Sequence, residues 1–314
     1  MASKKWWWLG GGAVTFTLLM IALAVFLLWR FLPEVRTYFP MGKKIGVVEI
    51  EGSIYSSEEY IKIIHSYRDD PTIAAVVVYV NSPGGQAAPT QEIYDELVKL
   101  KDKDKKVYAY ISTLGASGGY YVACASDKIY ASPGALTGSI GVIFTFTNVE
   151  GLFGKIGLSS KTIKSGRYKD IGSPFRPMTP EEEALLGETV DDVYEQFLDV
   201  VVEARRPAVT ALLETAGEKS PTRYRVRRYL MDYADGRIFS GRQAQELGFV
   251  DELGNFQKCL EEVAAEVGIE GEPTVVRKRL KEPSMYDVFF GSFRSGLLGL
   301  EDGTPRVEIK YSMY

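Results

Sequence analysis

The segment that decides the fold runs from Ile73 to Gly85 and has the sequence IAAVVVYVNSPGG. Its first eight residues are all apolar or aromatic, without the alternation of a strand that has one solvated face. Such a run is typical of a parallel β-strand covered on both faces. The proline and two glycines that follow are typical strand-ending residues. The sequence therefore predicts a buried central strand that ends in a glycine turn, at the edge where ligands bind in parallel sheets.

Strand and helix patterns alternate on both sides of this segment. Residues 45–52, IGVVEIEG, form a β-branched run closed by glycine, and residues 56–70 have the apolar spacing of a helix. A helix is predicted over Pro89–Lys101, followed by the strand KVYAYIS at 106–112. Repeated β-then-α units with right-handed crossovers predict an α/β fold with a wound, spiral sheet. Further short strands are predicted over Lys128–Ala131, Gly141–Phe146 and Ser160–Ile163.

Two helix starts carry a capping box, in which a hydroxyl residue and a Glu or Gln three positions later bond to each other's backbone. One is Thr179 with Glu182, ahead of a long helix, and the other is Ser240 with Gln243. Residues 207–233 are polar and arginine-rich and have no clear period, so no element is predicted there.

The N-terminal region is typical of a membrane anchor. Residues 9–29 carry no charged side chain and would span about 30 Å as a helix, which matches the hydrocarbon core of a bilayer. Lys4 and Lys5 precede this run, and tryptophans flank it at both ends. A cleaved signal peptide is the alternative, but no small-x-small cleavage site follows Trp29. We predict a cytoplasmic segment over 1–8, a transmembrane anchor over 9–29 and a catalytic body outside the cytoplasm.

The rest of the chain is predicted to comprise a linker over 30–43, one catalytic domain over 44–272 and a C-terminal tail over 273–314. The tail has one strand-like stretch, RVEIKYSMY, at its end. A length of 314 residues and an apolar content of 46% suffice for a sizeable core. The net charge of -4 and the scattered basic residues argue against a nucleic-acid partner.

The inventory of side chains limits the possible chemistry. His65 is the single histidine, so a Ser-His-Asp triad depends on it, and its amphipathic helix favours a surface imidazole instead. Cys124 and Cys259 fit no metal-ligand or redox spacing; two buried thiols are expected, with one disulfide as the alternative. No metal or other cofactor is therefore predicted.

Ser117 is the candidate nucleophile. It lies in GASGG, residues 115–119, at a predicted strand-to-helix turn where glycines permit tight backbone geometry. Backbone N–H groups of Gly118 and of the 83–85 loop are suited to a two-point oxyanion hole. The simpler alternative is that Ser117 caps an ordinary helix. Two glycine turns at parallel strand ends favour the catalytic interpretation.

The base must be another residue type, and a lysine can serve when desolvation leaves its amine uncharged. Lys169 has aromatic and apolar neighbours, which favour a drier setting than that of Lys164. Spacing alone leaves open the choice among Lys155, Lys161, Lys164 and Lys169.

Four blocks of sequence carry a resemblance to a known family. They are NSPGG at 81–85, GASGGYYVACASDKIYASPGALTGSIGVI at 115–143, IKSGRYKDIGSPFRPMT at 163–179 and DGRIFSGRQAQELGFVDELG at 235–254. In residues and in order they resemble the signal peptide peptidase A family, Ser-Lys serine peptidases of the Clp-protease and crotonase fold superfamily. The chain has no tandem repeats and is similar to the short form of that family.

This resemblance implies roles for particular residues. Ser117 matches the acyl-forming nucleophile, and Lys169 in GRYKD matches the general base. Ser139 matches the serine that orients the lysine amine. Gly85 and Gly118 match the backbone donors of the oxyanion hole, although the choice between the two glycines of the first loop is our own inference.

The resemblance also implies a function. The chain is expected to be a membrane-anchored serine endopeptidase that degrades signal peptides and other small or apolar peptides, with membrane lipid around its anchor. Short-form relatives assemble into rings in which serine and lysine can come from neighbouring copies, so a homo-oligomeric ring is expected. A crotonase-type acyl-CoA enzyme and an inactive membrane scaffold are the alternatives. No acidic residue adjoins either glycine loop closely, which argues against the first, and the presence of all three matched side chains argues against the second.

Overall fold

A computed structural model describes residues 17–27, 30, 42–278 and 310–312. Residues 17–27 are helical, and no helix within these ranges is both long and apolar enough to cross a bilayer. The predicted cytoplasmic segment 1–8, the remainder of the 9–29 anchor, most of the linker and most of the C-terminal tail lie outside the described residues. The chain divides into two units, Met1–Lys43 and Lys44–Tyr314, and the fold below is that of the second unit.

The second unit alternates strands and helices through most of its length, as predicted. Its strands are β1 (Lys44–Glu51), β2 (Ile73–Ser82), β3 (Gly84–Gln86), β4 (Lys106–Ala116), β5 (Lys128–Ala131), β6 (Leu136–Gly138), β7 (Ile238–Ser240), β8 (Glu252–Leu253), β9 (Thr274–Arg277) and β10 (Lys310–Ser312). Its helices are α1 (Glu58–Asp69), α2 (Ala87–Lys101), α3 (Gly118–Ala123), α4 (Glu150–Lys155), α5 (Pro180–Thr215), α6 (Arg223–Met231), α7 (Gly241–Glu246) and α8 (Phe256–Glu266). The capping box predicted for Ser240 and Gln243 is present and opens α7.

The central sheet is parallel over most of its width. Its strands lie in the order β7-β6-β4-β2-β1-β9, and β5 pairs with both β4 and β8. Among the described strands of this sheet, only the β6–β7 pair is antiparallel. Strand β2 lies between β1 and β4, with Val77 opposite Val47 on one side and Tyr108 on the other. The predicted α/β fold with a parallel-rich sheet is therefore confirmed.

Strand β2 is buried on both faces, which explains its uninterrupted apolar sequence. Val76, Val78 and Val80 face a core shared with α1, α2, α3 and α5. Ala75 and Val77 face a smaller core that α8 closes. Each buried valine contributes about 1.5–3 kcal/mol because its apolar surface is removed from water. The glycine loop after β2 is thus fixed to the centre of the sheet.

Two of the predicted strands are wrong. Gly141–Phe146 and Ser160–Ile163, both of which the structure describes, form no strand, and Ile163 is 91% exposed. Their β-branched residues suit a strand locally, but a strand is stable only as part of a sheet with a covered face. Residues 141–178 are instead mostly exposed loop and turn structure around α4. The strand predicted over Lys128–Ala131 is confirmed as β5.

Helix α5 is longer than the sequence pattern indicated. Its predicted capping box is present, since Glu182 N–H donates to Thr179 Oγ1 (3.2 Å) and Thr179 N–H donates to the Glu182 carboxylate (3.0 Å). The helix continues through Pro207 and ends at Thr215. A proline usually ends a helix because it lacks an N–H donor, and the buried Val209 beyond it shows that packing overrides this preference here.

Three of the four arginines of α6, Arg223, Arg225 and Arg227, form ion pairs within the same chain. Arg223 pairs with Glu203 (2.5 Å) and Asp199 (3.2 Å) of α5, and Arg227 pairs with Asp199 (2.8 Å). Residues 207–233, for which no element was predicted, therefore contain the last part of α5 and the helix α6, which packs against α5.

Candidate active site

Ser117 lies at the turn where β4 ends and α3 begins. Its backbone has φ 52° and ψ -118°, a conformation that non-glycine residues rarely adopt and that costs about 1–3 kcal/mol. Ser117 N–H donates to the Gly138 carbonyl (2.8 Å), and the Ser117 carbonyl accepts from Tyr121 N–H (2.9 Å). The predicted strand-to-helix turn is present, and strand β6 holds it in its unusual conformation.

The Ser117 hydroxyl does not cap α3. Its Oγ is buried and has no hydrogen-bond partner within the described part of the chain, neither in the first turn of α3 nor elsewhere. Leaving a buried hydroxyl unsatisfied costs about 1–3 kcal/mol. A hydroxyl held without a partner at a strained turn is unfavourable for stability, and this favours a chemical role over the helix-cap alternative.

The glycine loop after β2 packs directly against the Ser117 turn. A Cβ atom added at Gly118 would lie 3.1 Å from Gly84 Cα and 3.2 Å from Gly85 N, and one added at Gly85 would lie 2.1 Å from the Ile54 carbonyl oxygen. Gly85 therefore requires glycine because backbone approaches backbone, and at Gly118 a Cβ would fit only if the neighbouring groups shifted by a few tenths of an ångström. The structure brings Gly85, Gly118 and Ser117 together.

The hydrogen bonds of β3 distinguish Gly85 from its neighbour. Gly84 N–H already donates to Ser82 Oγ (3.1 Å), and the Gly84 carbonyl accepts from Ile54 N–H (2.9 Å). Gln86 N–H donates to the Ile54 carbonyl (2.8 Å). Because backbone groups alternate between the two edges of a strand, the N–H of Gly85 points to the edge opposite Ile54.

That opposite edge of β3 holds an extended segment of the chain. Strand β10 pairs with β3 in antiparallel register, with Tyr311 opposite Gly85 and Ser312 opposite Gly84. It also contacts α3, which begins directly after Ser117. The strand predicted near the C-terminus is therefore present over residues 310–312. Its position demonstrates that an extended peptide backbone fits beside the Ser117 turn.

Ser139 lies close to Ser117 because β6 runs parallel to the end of β4. Ala116 pairs with Gly138, so Ser139 directly follows the residue whose carbonyl binds Ser117 N–H. Ser139 is buried, has φ 50° and donates its N–H to the Arg237 carbonyl (2.8 Å). Two serines in unusual backbone conformations thus occupy adjacent positions of the same sheet edge.

No hydrogen bond joins Lys169 to the Ser117 hydroxyl within the described part of this chain. Lys169 lies in a turn of the 141–178 segment, where its N–H donates to the Gly166 carbonyl (3.2 Å), and its side chain is exposed. The aromatic neighbours Tyr168 and Phe175 are themselves partly exposed. The dry setting predicted for the Lys169 amine is therefore absent from the single chain.

The remaining candidates behave as structural or surface residues. His65 Nε2 lies 2.7 Å from Glu96 Oε2, and the histidine side chain is 39% exposed, so the predicted surface imidazole is confirmed. Cys124 and Cys259 are buried free thiols, as expected, and burial raises the pKa of each to about 12. A disulfide between them is not formed.

Sequence reasoning missed the ion-pair cluster beside Lys169. Asp170 binds Arg176 and Lys164, and Arg176 also binds Glu182 at the start of α5. The only available signal was the alternation of charged residues on both sides of the lysine, which is also typical of a solvated surface loop.

A parallel α/β sheet that presents a serine at a tight strand-to-helix turn, with glycine backbone beside it, is an architecture used by serine hydrolases. Residues 99–223 match the model of peptidase family S49. A Synechocystis sp. protein that is provisionally named a protease is 37% identical over 78% of this chain and 79% of its own length. The chain belongs to peptidase family S49, the signal peptide peptidase A family, and is a serine protease.

Other relatives carry related names. An Enterococcus faecium protein, provisionally named signal peptide peptidase SppA, is 34% identical over 69% of this chain and 59% of its own length. The chloroplastic serine protease SPPA of Arabidopsis thaliana is 29% identical over 82% of this chain and 35% of its own length. The chain thus spans only part of these two proteins.

Proposed function

We propose that the chain is a serine endopeptidase in which Ser117 is the nucleophile and Lys169 the general base, and that Lys169 of one copy serves Ser117 of the next. The observation that carries this proposal is a contrast within one chain: the Ser117 hydroxyl is buried and makes no hydrogen bond, whereas Lys169 is exposed to solvent. Each feature is unfavourable for catalysis in an isolated subunit. A second copy that covers the site would give the Ser117 hydroxyl a partner and would shield the Lys169 amine from water.

The surface around Lys169 supports contact with a second copy. Residues 141–178 expose several large apolar side chains, and a concentration of exposed apolar side chains is typical of protein–protein interfaces. Burial of this surface would exclude water from the Lys169 amine, which must be uncharged to accept a proton. The exposed apolar side chains are Ile143, Leu152, Ile156, Leu158, Ile163, Tyr168 and Phe175. A ring of identical copies satisfies this requirement at every site.

In the proposed mechanism, the Lys169 amine removes the Ser117 hydroxyl proton as Oγ attacks the peptide carbonyl. The N–H groups of Gly85 and Gly118 stabilise the oxyanion. The ammonium then donates its proton to the departing amine, which leaves an acyl-enzyme and a neutral lysine. The same amine activates the water that releases the acyl group. Ser139 orients the amine from the neighbouring sheet edge.

The proposed substrate is an extended peptide that pairs with β3 in the position occupied by β10. Main-chain pairing of this kind binds many sequences and leaves selectivity to side-chain pockets. The small residues around Ser117 suit small or apolar side chains. We therefore infer that the substrates are signal peptides and other apolar peptides at a membrane. We also infer that the parallel sheet is wound as in Clp proteases and crotonases.

In this proposal residues 9–29 anchor the chain in a membrane, residues 1–8 are cytoplasmic and the catalytic unit lies outside the cytoplasm. The uncharged run at 9–29 and the lysines before it support this orientation. No cofactor enters the mechanism.

The proposal is tested by hydrolysis of a fluorogenic apolar peptide by the detergent-solubilised full chain. We expect Ser117→Ala and Lys169→Ala each to lose nearly all turnover, and the matched control Lys161→Ala, on the same exposed segment, to remain within about twofold of the unsubstituted chain. Unchanged turnover in either Ser117→Ala or Lys169→Ala would remove the proposed dyad.

A further inference from the structure

Two arginines, Arg167 and Arg176, join the turn that carries Lys169 to the start of α5, and Arg176 is the more covered of the two. Arg176 Nε donates to Asp170 Oδ2 (2.9 Å), and Arg176 Nη2 donates to Asp170 Oδ1 (2.9 Å). The same guanidinium donates to the two oxygens of Glu182 at 2.7 and 2.5 Å. Two bidentate carboxylate contacts fix the guanidinium in orientation as well as position.

Glu182 is itself held firmly. Its side chain is 4% exposed and accepts Thr179 N–H within the capping box of α5. Further along α5, the fully buried Phe197 packs on Tyr121 of α3, with 5.0 Å between ring centroids. A continuous series of packed groups therefore joins Asp170 to the helix that follows Ser117.

Asp170 is the residue of the Lys169 turn that makes this connection. Residues 157–169 are exposed throughout, whereas the Asp170 side chain is largely covered and binds both Arg176 and Lys164. Neither backbone pairing with a strand nor core packing holds this part of the segment. Its most covered link to α5 is thus the set of Asp170 contacts, because the other link, Arg167 with Glu181, is exposed to solvent.

We propose that Arg176 is a positioning residue for the base: by binding Asp170 and Glu182 together, it sets the turn from which Lys169 reaches the Ser117 of the next copy. This inference rests on the proposed role of Lys169 as the general base. In a ring, each copy would present its lysine at an angle determined by its own α5.

The contact also has an electrostatic consequence. The guanidinium of Arg176 and the ammonium of Lys164 hold the pKa of Asp170 well below its ordinary value, so this carboxylate is already compensated. Released from Arg176, it would be available to pair with the adjacent Lys169 as an ammonium and would oppose the uncharged amine. The charged groups around the turn are Lys164, Arg167, Lys169, Asp170, Arg176, Glu181 and Glu182.

The test compares Arg176→Gln with Arg167→Gln in the detergent-solubilised full chain. Arg167 is a matched control because it lies on the same segment, also pairs with a glutamate of α5, and is 67% exposed. We expect Arg176→Gln to lower kcat by about tenfold or more with KM changed less than twofold, and to move the acid limb of the pH–rate profile to higher pH. Arg167→Gln should keep both kcat and the profile.

Two further variants separate positioning from general loss of structure. Arg176→Lys keeps the charge without the fork and should recover only part of kcat. Asp170→Asn should lower kcat without the shift of the acid limb, and Arg176→Gln combined with Asp170→Asn should return the acid limb to its original pH. If Arg176→Gln does not assemble, Asp170→Asn alone must still lower kcat.

An Arg176→Gln variant with the kcat and pH–rate profile of Arg167→Gln would overturn the inference. So would a lowered kcat in Arg176→Gln if the acid limb of the profile stayed at the same pH in this variant and in the double variant. Failure of the underlying mechanism would be distinguishable, because Lys169→Ala would then retain turnover. Loss of activity in Lys169→Ala with full activity in Arg176→Gln would remove only the positioning role.

Discussion

Ser117 combines two local features that each cost free energy. Its left-handed φ costs about 1–3 kcal/mol, and its unbonded buried hydroxyl costs a similar amount. The glycines around it permit this arrangement, because a side chain at Gly85 would collide with the Ile54 backbone and one at Gly118 would press against Gly84 and Gly85. The cost is confined to a few atoms and is offset by the buried strands β2 and β4 on which the turn is built.

The steric requirement at Gly85 leads to a prediction. In Gly85→Ala the new Cβ would lie 2.1 Å from the Ile54 carbonyl oxygen, so β3 must shift away from the Ser117 turn. We expect kcat/KM to fall by about a hundredfold or more, because an oxyanion donor leaves its position. Gly134→Ala is the control, since a Cβ there meets nothing within 4 Å. Wild-type kcat/KM in Gly85→Ala would contradict the assignment.

At the scale of elements, sequence patterns predicted those helices, strands and turns that residues close in sequence determine. The apolar run of β2, the serine turn after β4 and the capping box of α5 all depend on residues close in sequence. The predicted strand over Ser160–Ile163 was wrong because a strand depends on a neighbour, which local sequence does not encode. The continuation of α5 beyond Pro207 could not be predicted, because proline usually ends a helix and the packing that overrides this tendency comes from residues distant in sequence. The choice of Lys169 among four lysines required the family resemblance.

The start of α5 has a testable pH dependence. Hydrogen bonds from the Arg176 guanidinium, which has the larger effect, and from Thr179 N–H lower the pKa of Glu182 to about 2 from an ordinary value of 4.5. A carboxyl whose folded pKa is depressed stabilises the fold above its unfolded pKa, and this stabilisation is lost as pH falls. We expect the unsubstituted chain to have a higher urea midpoint than Glu182→Gln. This difference should have its full size above about pH 4.5 and should shrink as the pH falls toward 2. A difference that stays constant from pH 7 to pH 2.5 would contradict this.

At the scale of the whole molecule, the chain holds a candidate nucleophile at the sheet edge and a candidate base on an exposed segment, and no hydrogen bond joins the two side chains in the described residues. The second unit forms its own buried core, and we propose that the site is completed only in an assembly of several copies. The sequence predicted the α/β fold class, which the structure confirms, and it predicted roles for Ser117 and Lys169 that stay predictions. No pattern within one chain encodes which copy would supply each residue to a shared site.

The position of β10 gives a further prediction at this scale. Strand β10 occupies the edge of β3 along which a peptide substrate is proposed to lie, so the two compete. A chain ending at residue 309 should show a KM for short peptides about three- to tenfold lower, with kcat unchanged, because a larger fraction of sites is open. Steady-state kinetics of the two chains measure this. An unchanged or raised KM would indicate that β10 does not obstruct the site.

The most direct test of the central claim is to mix two inactive variants. Ser117→Ala and Lys169→Ala would be unfolded together and refolded in equal amounts, so that copies assort within the same assembly. If each site takes its serine from one copy and its lysine from the next, about a quarter of the sites regain both groups, and a corresponding share of turnover returns. Mixed assemblies that remain as inactive as each variant alone would contradict a site shared between copies.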